Sequence, residues 1–98
     1  MLPVIADEER LREVCERFGV TRLEVFGSVA RGTDRSDSDV DVLYTLAPGT
    51  RIGWEIEDLA AELQEILQRP VDLVSRRSLN ERIRDDVLHE ARIFYAAA

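Results

Sequence analysis

Residues 39–45 read DVDVLYT, and the alternation of acidic and apolar side chains in this run is the strongest constraint on the fold. Side chains of a β-strand point alternately to the two faces of its sheet, so Val40 and Val42 enter the core. Asp39 and Asp41 then share the opposite face, about 7 Å apart along the chain. Two such carboxylates repel each other unless a cation lies between them or one is protonated. The run predicts a strand whose polar face is either an ordinary charged surface or a metal site.

Helices and short strands are predicted on both sides of this run. The predicted elements are a first helix capped by Asp7 and ended by Gly19, a strand over 22–26, a helix over 52–68, a strand over 71–74, and a last helix capped by Ser78 with Glu81. The run RIFYA, residues 92–96, is either a fourth strand or the end of the last helix. This order predicts one α/β (α+β) domain over residues 1–98, with a small mixed sheet of three to four strands packed with about three helices.

Charge and cysteine content restrict the classes of function. The chain has 13 basic and 20 acidic residues, and its net charge of -7 argues against tight binding of nucleic acid, which needs basic side chains to displace counterions. The same charge is compatible with a divalent cation or a basic protein partner. No apolar run approaches the roughly 20 residues that span a bilayer, so no membrane association is expected. Cys15 is the only cysteine, which excludes an internal disulfide and a cysteine-built metal site and favours a cytoplasmic location.

A glycine-serine pair after the first strand predicts an anion-binding turn. Gly27 permits a sharp turn and a close approach of the backbone, and residues 28–31 can form one helical turn. The Ser28 hydroxyl and the amides that follow it would then donate to a phosphate. Arg31 could add a charge-assisted contact. An anion-binding turn beside clustered carboxylates suggests phosphoryl or nucleotidyl transfer.

Asp72 is the third candidate carboxylate. It lies within the apolar run VDLV, and because aspartate is disfavoured in strands, its position there needs a reason. If this strand neighbours the DVDVLYT strand, the carboxylates of Asp39, Asp41 and Asp72 can converge. Oxygen ligands suit Mg²⁺, and the lack of His or Cys nearby in sequence argues against zinc. The alternative for Asp72 is a surface position on an edge strand, and the loop residues Asp34 and Asp37 are expected to be solvated rather than ligands.

The spacing of these groups resembles a known signature. Residues 27–41 read G-S-V-A-R-G, five residues, then S-D-V-D. This pattern is similar to that of the minimal nucleotidyltransferase (MNT) branch of the polymerase-β-like nucleotidyltransferases. The order of helices and strands extends the resemblance over nearly all of the chain, so the polymerase-β-like nucleotidyltransferase fold is expected.

The resemblance also implies roles for individual residues. The ligands of two Mg²⁺ ions, which would also form the catalytic site, are expected to be Asp39, Asp41 and Asp72. Asp72 would in addition help to activate the incoming hydroxyl group. The residues expected to bind the phosphates of the nucleotide ATP are Gly27, Ser28 and Arg31. For Arg31, bracing of the loop is the alternative role.

The resemblance further implies a partner and a reaction. MNT proteins are commonly antitoxins of HEPN-domain ribonuclease toxins, and characterised pairs transfer AMP from ATP to a tyrosine of the toxin. We therefore expect a Mg²⁺-dependent protein adenylyltransferase that forms a hetero-oligomer with a HEPN toxin and neutralises it. Two alternatives stay open at this point: an antitoxin that only masks the toxin by binding, and a nucleotidyltransferase acting on a small molecule. The length of 98 residues leaves little surface for a small-molecule acceptor pocket, which weighs against the latter.

Overall fold

Helices and strands alternate along the part of the chain that the computed structural model describes, residues 6–35 and 37–97. The elements are α1 (Glu8–Phe18), β1 (Val20–Phe26), α2 (Ser28–Arg31), β2 (Val40–Leu46), α3 (Glu55–Leu67), β3 (Val71–Ser75), a 3₁₀ turn (Arg76–Ser78), α4 (Glu81–Glu90) and β4 (Arg92–Ala96). The predicted α+β class is confirmed, with the RIFYA run forming a fourth strand and α2 adding a fourth helix. None of the helices in this described part is long and apolar enough to cross a membrane.

The four strands form one mixed sheet in the order β3-β2-β1-β4. β1 is antiparallel to both β2 and β4, while β3 runs parallel to β2. A parallel pair cannot be joined by a tight hairpin, and α3 supplies the crossover from β2 to β3. β2 is therefore an inner strand, and β3 forms one edge of the sheet.

Two hydrophobic clusters cover opposite faces of the sheet. The larger one joins Val40, Val42 and Tyr44 of β2 to buried side chains of α1 and α3. The smaller one joins Leu43, on the other face of β2, to Leu79 and Val87 around α4. Burial of the alternate residues of β2 confirms the predicted strand, because each face of that strand has its own apolar contacts. The face of Leu43 is also the face on which Asp41 lies.

Most predicted helix ends agree with the structure, and one cap is wrong. Asp7 caps α1 by accepting from the N–H groups of Glu9 and Arg10, and Gly19 ends the helix at a φ of 75°. α4 is capped by Asn80, whose side chain accepts from the Arg82 N–H, and not by Ser78. The physical reason is that Ser78 belongs to the 3₁₀ turn after β3.

The remaining differences in boundaries are small. β1 begins two residues earlier than predicted, because Val20 is buried and pairs with Leu46 of β2. α3 begins at Glu55 rather than at residue 52. Ile52 still contacts the larger cluster, but from the segment that precedes the helix. Helical periodicity therefore overestimated the length of α3 at its start.

The loop between α2 and β2 is held by one arginine that follows α3. The Arg69 guanidinium donates to the Asp34 carboxylate at 2.9 Å and to the carbonyl oxygens of Arg35 at 2.7 Å and Ser38 at 2.9 Å. About four fifths of each charged side chain of the Arg69–Asp34 pair is shielded, with 20% and 23% exposed. The expectation that Asp34 is solvated is therefore wrong, whereas Asp37 is exposed as expected.

We predict that Arg69→Ala lowers the free energy of unfolding by about 1.5–3 kcal/mol, because charge-assisted hydrogen bonds are lost and Asp34 keeps a half-buried charge. Arg69→Lys should recover little of this loss, since an ammonium group cannot contact the same three acceptors in one plane. Urea denaturation measures the effect. Arg51→Ala, at an exposed loop position, is the control. Equal losses for the two alanine variants would contradict the structural role of Arg69.

Candidate active site

Neighbouring strands bring the predicted site residues together at one end of the sheet. In the register of the parallel pair, Asp41 of β2 lies beside Asp72 of β3. In the antiparallel pair, Asp41 lies opposite Phe26, the last residue of β1. Gly27 follows Phe26 directly, so the glycine-serine turn and two carboxylates meet within two strand spacings of about 4.8 Å each.

Asp39 joins this group from the residue before β2. Its side chain is exposed, Asp41 is half-buried, and Val40 between them is fully buried on the other face. Asp72 is exposed on the edge strand β3. Asp41 is therefore the most shielded of the three predicted carboxylates.

The electrostatics single out Asp41 as the centre of the cluster. Burial raises the pKa of Asp41 above its ordinary value, and the charges of Asp72 and Asp39 raise that pKa further. Arg31 acts in the opposite direction and lowers it. Because the charged form of Asp41 is disfavoured by its surroundings, a cation at this position would relieve both the desolvation and the repulsion.

The donor set can be compared with the needs of Mg²⁺. Within residues 6–35 and 37–97, no three His, Cys, Asp or Glu side chains are arranged to hold a metal ion between them. A Mg²⁺ ion, however, is usually bound through one or two carboxylates together with water and substrate phosphates. Asp41 and Asp72 are adjacent and Asp39 lies two residues before Asp41, so the site can supply the one or two carboxylate ligands that Mg²⁺ needs from the protein. The chemistry of the oxygen donors is thus appropriate for Mg²⁺.

The glycine at the start of the turn is required by its contact with Asp41. Gly27 has a φ of 70° and a ψ of -146°, a region that is open almost only to glycine. A Cβ atom added at this position would overlap the carboxylate of Asp41. The peptide of Gly27 can therefore pass directly over the most shielded acid of the site only because it has no side chain.

The predicted helical turn at residues 28–31 is present as α2. Ser28 is its first residue and half-buried, Val29 is buried against the core, and Gly32 ends the turn at a φ of 74°. The first N–H groups of a helix have no acceptor within it, so this turn offers amide donors together with the Ser28 hydroxyl. Arg31, the last residue of α2, is more than half exposed.

A glutamate that the sequence did not indicate completes the turn. Glu90 ends α4, and its Oε1 accepts from the Gly27 N–H at 2.9 Å and from Arg31 Nη1 at 3.2 Å. Its Oε2 accepts from the same Arg31 nitrogen at 3.1 Å. The Gly27 N–H lowers the pKa of Glu90, with further lowering by Arg31, so the group is ionised at neutral pH.

Sequence reasoning missed Glu90 because nothing local marks it. It lies 63 residues from Gly27 and 59 from Arg31 along the chain. It sits among other acids of α4, and a single sequence contains no signal that separates it from them. The contact between Arg31 and Glu90 is compatible with bracing of the turn by Arg31 and leaves its phosphate-binding role a prediction.

Comparisons with known proteins agree with this geometry. Residues 8–94 match the family described as the nucleotidyltransferase domain. The protein adenylyltransferase MntA of Thermococcus cleftensis is 41% identical over 81 residues, covering 81% of this chain and 79% of that protein. A solved structure provisionally described as a minimal nucleotidyltransferase superposes with a TM-score of 0.70 at 41% identity, covering 87% of this chain and 86% of the other.

A more distant solved structure shares the fold. In the complex of tri-AMPylated Shewanella oneidensis HEPN toxin with MNT antitoxin, one chain superposes with a TM-score of 0.58 at 23% identity, covering 92% of this chain and 70% of that one. At this identity the likeness concerns the fold alone. The family match over most of the chain is the stronger finding, and together with the 41% identical relatives it shows that this chain belongs to the nucleotidyltransferase domain family, in its minimal branch.

Proposed function

We propose that this protein is a Mg²⁺-dependent protein adenylyltransferase that transfers AMP from ATP to a tyrosine hydroxyl of a HEPN ribonuclease toxin. It would thereby act as the antitoxin of that toxin, within a cytoplasmic complex of the two proteins. The observation that carries the proposal is the meeting of the Gly27 turn with Asp41 and Asp72 at one end of the sheet. A relative named as a protein adenylyltransferase, at 41% identity, supports the choice of reaction.

In this proposal the carboxylates and the turn bind different parts of the same substrate. Asp39 and Asp41 would hold the metal ions, with Asp72 as a further ligand. Ser28 binds the phosphates through its N–H and hydroxyl donors, and Gly27, whose own N–H donates to Glu90, lets the backbone approach them closely. When bound, Mg²⁺ would stabilise the negative charge that develops on the transferred phosphoryl group and on the leaving diphosphate.

The transfer step exchanges one phosphorus–oxygen bond for another and moves one proton. The tyrosine oxygen forms a bond to the α-phosphorus of ATP while the bond to the bridging oxygen between the α- and β-phosphates breaks. Diphosphate leaves with that bridging oxygen. The hydroxyl proton passes to the carboxylate of Asp72, a role that its exposure and its position beside Asp41 support.

The decisive experiment is a transfer assay with the partner toxin. The protein is incubated with Mg²⁺, ATP labelled at the α-phosphate and the HEPN toxin, and the toxin is then analysed for label. We expect label on a toxin tyrosine and loss of at least about 100-fold in transfer for Asp39→Ala and Asp41→Ala, since each removes a metal ligand. Asp37→Ala, an exposed loop aspartate of the same segment, is the matched control and should transfer normally.

Other outcomes of this assay would contradict the proposal. A tight complex without label on the toxin would indicate an antitoxin that acts by binding alone, provided that the alanine variants neutralise the toxin as well as the wild-type protein does. Label on serine or threonine would contradict the tyrosine acceptor. Label on a small hydroxylated molecule in place of the toxin would assign the enzyme to a different acceptor class.

A second prediction concerns the stability of the metal-free protein. Asp41→Asn should raise the free energy of unfolding at neutral pH by up to about 1 kcal/mol, because it removes a shielded charge that faces like charges across the strands. Added Mg²⁺ should raise the Tm of the wild-type protein more than that of the variant. Thermal unfolding with and without Mg²⁺ measures both effects, with Asp37→Asn as the control.

The difference in free energy of unfolding between Asp41→Asn and the wild-type protein should increase with pH. The pKa of Asp41 is raised in the folded protein, so between its ordinary value of 3.8 and the raised value the folded state binds more protons than the unfolded state. The wild-type protein therefore loses stability relative to Asp41→Asn as the pH rises through this window. Above the window the difference is constant. A difference that shrinks as the pH rises from 3.8 would contradict the proposed cause.

A third prediction separates the Gly27–Asp41 contact from ordinary backbone strain. Gly27→Ala and Gly49→Ala both place a side chain at a positive φ, which costs about 1–3 kcal/mol. Only Gly27→Ala also displaces the Asp41 carboxylate, since the space around Gly49 is open. AMP transfer should be lost in Gly27→Ala and retained in Gly49→Ala. Equal activity in the two variants would show that the close approach has no catalytic importance.

A further inference from the structure

The contact between Glu90 and the turn joins parts of the chain that are distant in sequence. Glu90 is the last residue of α4, and β4, which begins two residues later, pairs with β1. Its carboxylate contacts the residue that precedes α2 and the residue that ends α2. The end of α4 is therefore tied to both ends of the short turn.

We propose that Glu90 is a positioning residue for nucleotide binding: its carboxylate holds the Arg31 guanidinium in the orientation that receives the triphosphate of ATP. This inference rests on the proposed function, because it concerns the same nucleotide site. Glu90 itself does not touch the reacting atoms. It acts through Arg31, whose role as a phosphate ligand it supports.

The pattern of hydrogen bonds leaves room for a phosphate on the same guanidinium. An arginine has five N–H donors on three nitrogens. In the described part of the chain, the hydrogen bonds of Arg31 to Glu90 use Nη1 alone. Its Nε and Nη2 donors can bind a phosphate oxygen while the contact with Glu90 persists. This geometry favours support of the arginine over competition with the nucleotide.

Arg31 gains from such support because it is poorly restrained otherwise. Its side chain is 55% exposed and projects from a helix of four residues. Immobilising a long side chain on binding costs conformational entropy. The contact with Glu90 already restrains the Arg31 side chain in the free protein, so less conformational entropy is lost when the nucleotide binds.

If Glu90 positions Arg31, removing its charge should weaken nucleotide binding, whereas simple electrostatics predicts that binding becomes stronger. A carboxylate near the triphosphate repels it, so loss of the charge alone would strengthen nucleotide binding. If Glu90 competed with the phosphates for Arg31, its removal would also strengthen binding. The direction of the change in nucleotide affinity therefore distinguishes a positioning role from charge repulsion and from competition for Arg31.

The first test measures the binding of a non-hydrolysable ATP analogue with Mg²⁺ by isothermal titration calorimetry. In Glu90→Gln the side-chain carbonyl can still accept from the Gly27 N–H, so the variant removes mainly the ionic contact with Arg31. We expect the Kd to rise about 3- to 10-fold. The control is Glu81→Gln, which removes an exposed carboxylate from the opposite side of α4 and should leave the Kd unchanged. Thermal unfolding of each variant confirms that it is folded.

The second test asks whether Glu90 acts through Arg31. In an Arg31→Ala background, Glu90→Gln should change the Kd less than 2-fold, because the group to be positioned is absent. An unchanged or lower Kd for Glu90→Gln in the wild-type background would overturn the inference. So would a loss of the same size in both backgrounds, which would indicate a general effect on the fold. If the wild-type protein bound no nucleotide, the proposed function would fail first, and this inference with it.

Discussion

The parallel pairing of β2 with β3 is the arrangement on which the site depends. It places Asp41 and Asp72 side by side on adjacent strands, where two carboxylates repel each other. Such a pairing is tolerated because the opposite face of β2 buries Val40 and Val42 completely in the larger cluster. The favourable burial on one face thus offsets the unfavourable charge on the other.

The antiparallel partner β1 contributes the second half of the site. Phe26, its last residue, lies opposite Asp41. The next residue, Gly27, has no side chain and can therefore form the sharp turn into α2. The turn at Gly27 and the carboxylate face of β2 are in this way separated by a single strand spacing. The residues that terminate β1 and begin α2 are also those proposed to bind the nucleotide, so the end of one strand determines the position of that part of the candidate site.

Much of the fold and of the candidate site could be predicted from the sequence, because the strand β2, the turn at Gly27 and the ends of α1 follow from local sequence patterns. Alternation along the DVDVLYT run indicated the strand, its buried face and the common face of Asp39 and Asp41. The glycine-serine pair indicated the turn, and Asp7 and Gly19 marked the ends of α1. The start of α3 and the cap of α4 were predicted less well, since apolar periodicity continues into residues that contact the core without being helical, as Ile52 does.

The contacts of Glu90 and Arg69 could not have been predicted in the same way. Each depends on two segments that the fold brings together, and no local sequence pattern identifies the partner of either residue. Arg69 braces the loop that leads to Asp39, while Glu90 braces the turn that precedes that loop. The geometry of the segment from Gly27 to Asp41 is therefore maintained by side chains outside it.

The position of β3 at the edge of the sheet has a consequence for the acceptor. Among the residues that the structure describes, Asp72 has a neighbouring strand on one side only, so the site is open laterally and resembles a ledge more than an enclosed pocket. A ledge offers a small molecule few contacts, whereas a folded protein can dock over it and present one side chain. Selection among acceptors would then depend on how well two protein surfaces fit, and the enzyme would need no recognition site of its own for the reacting group.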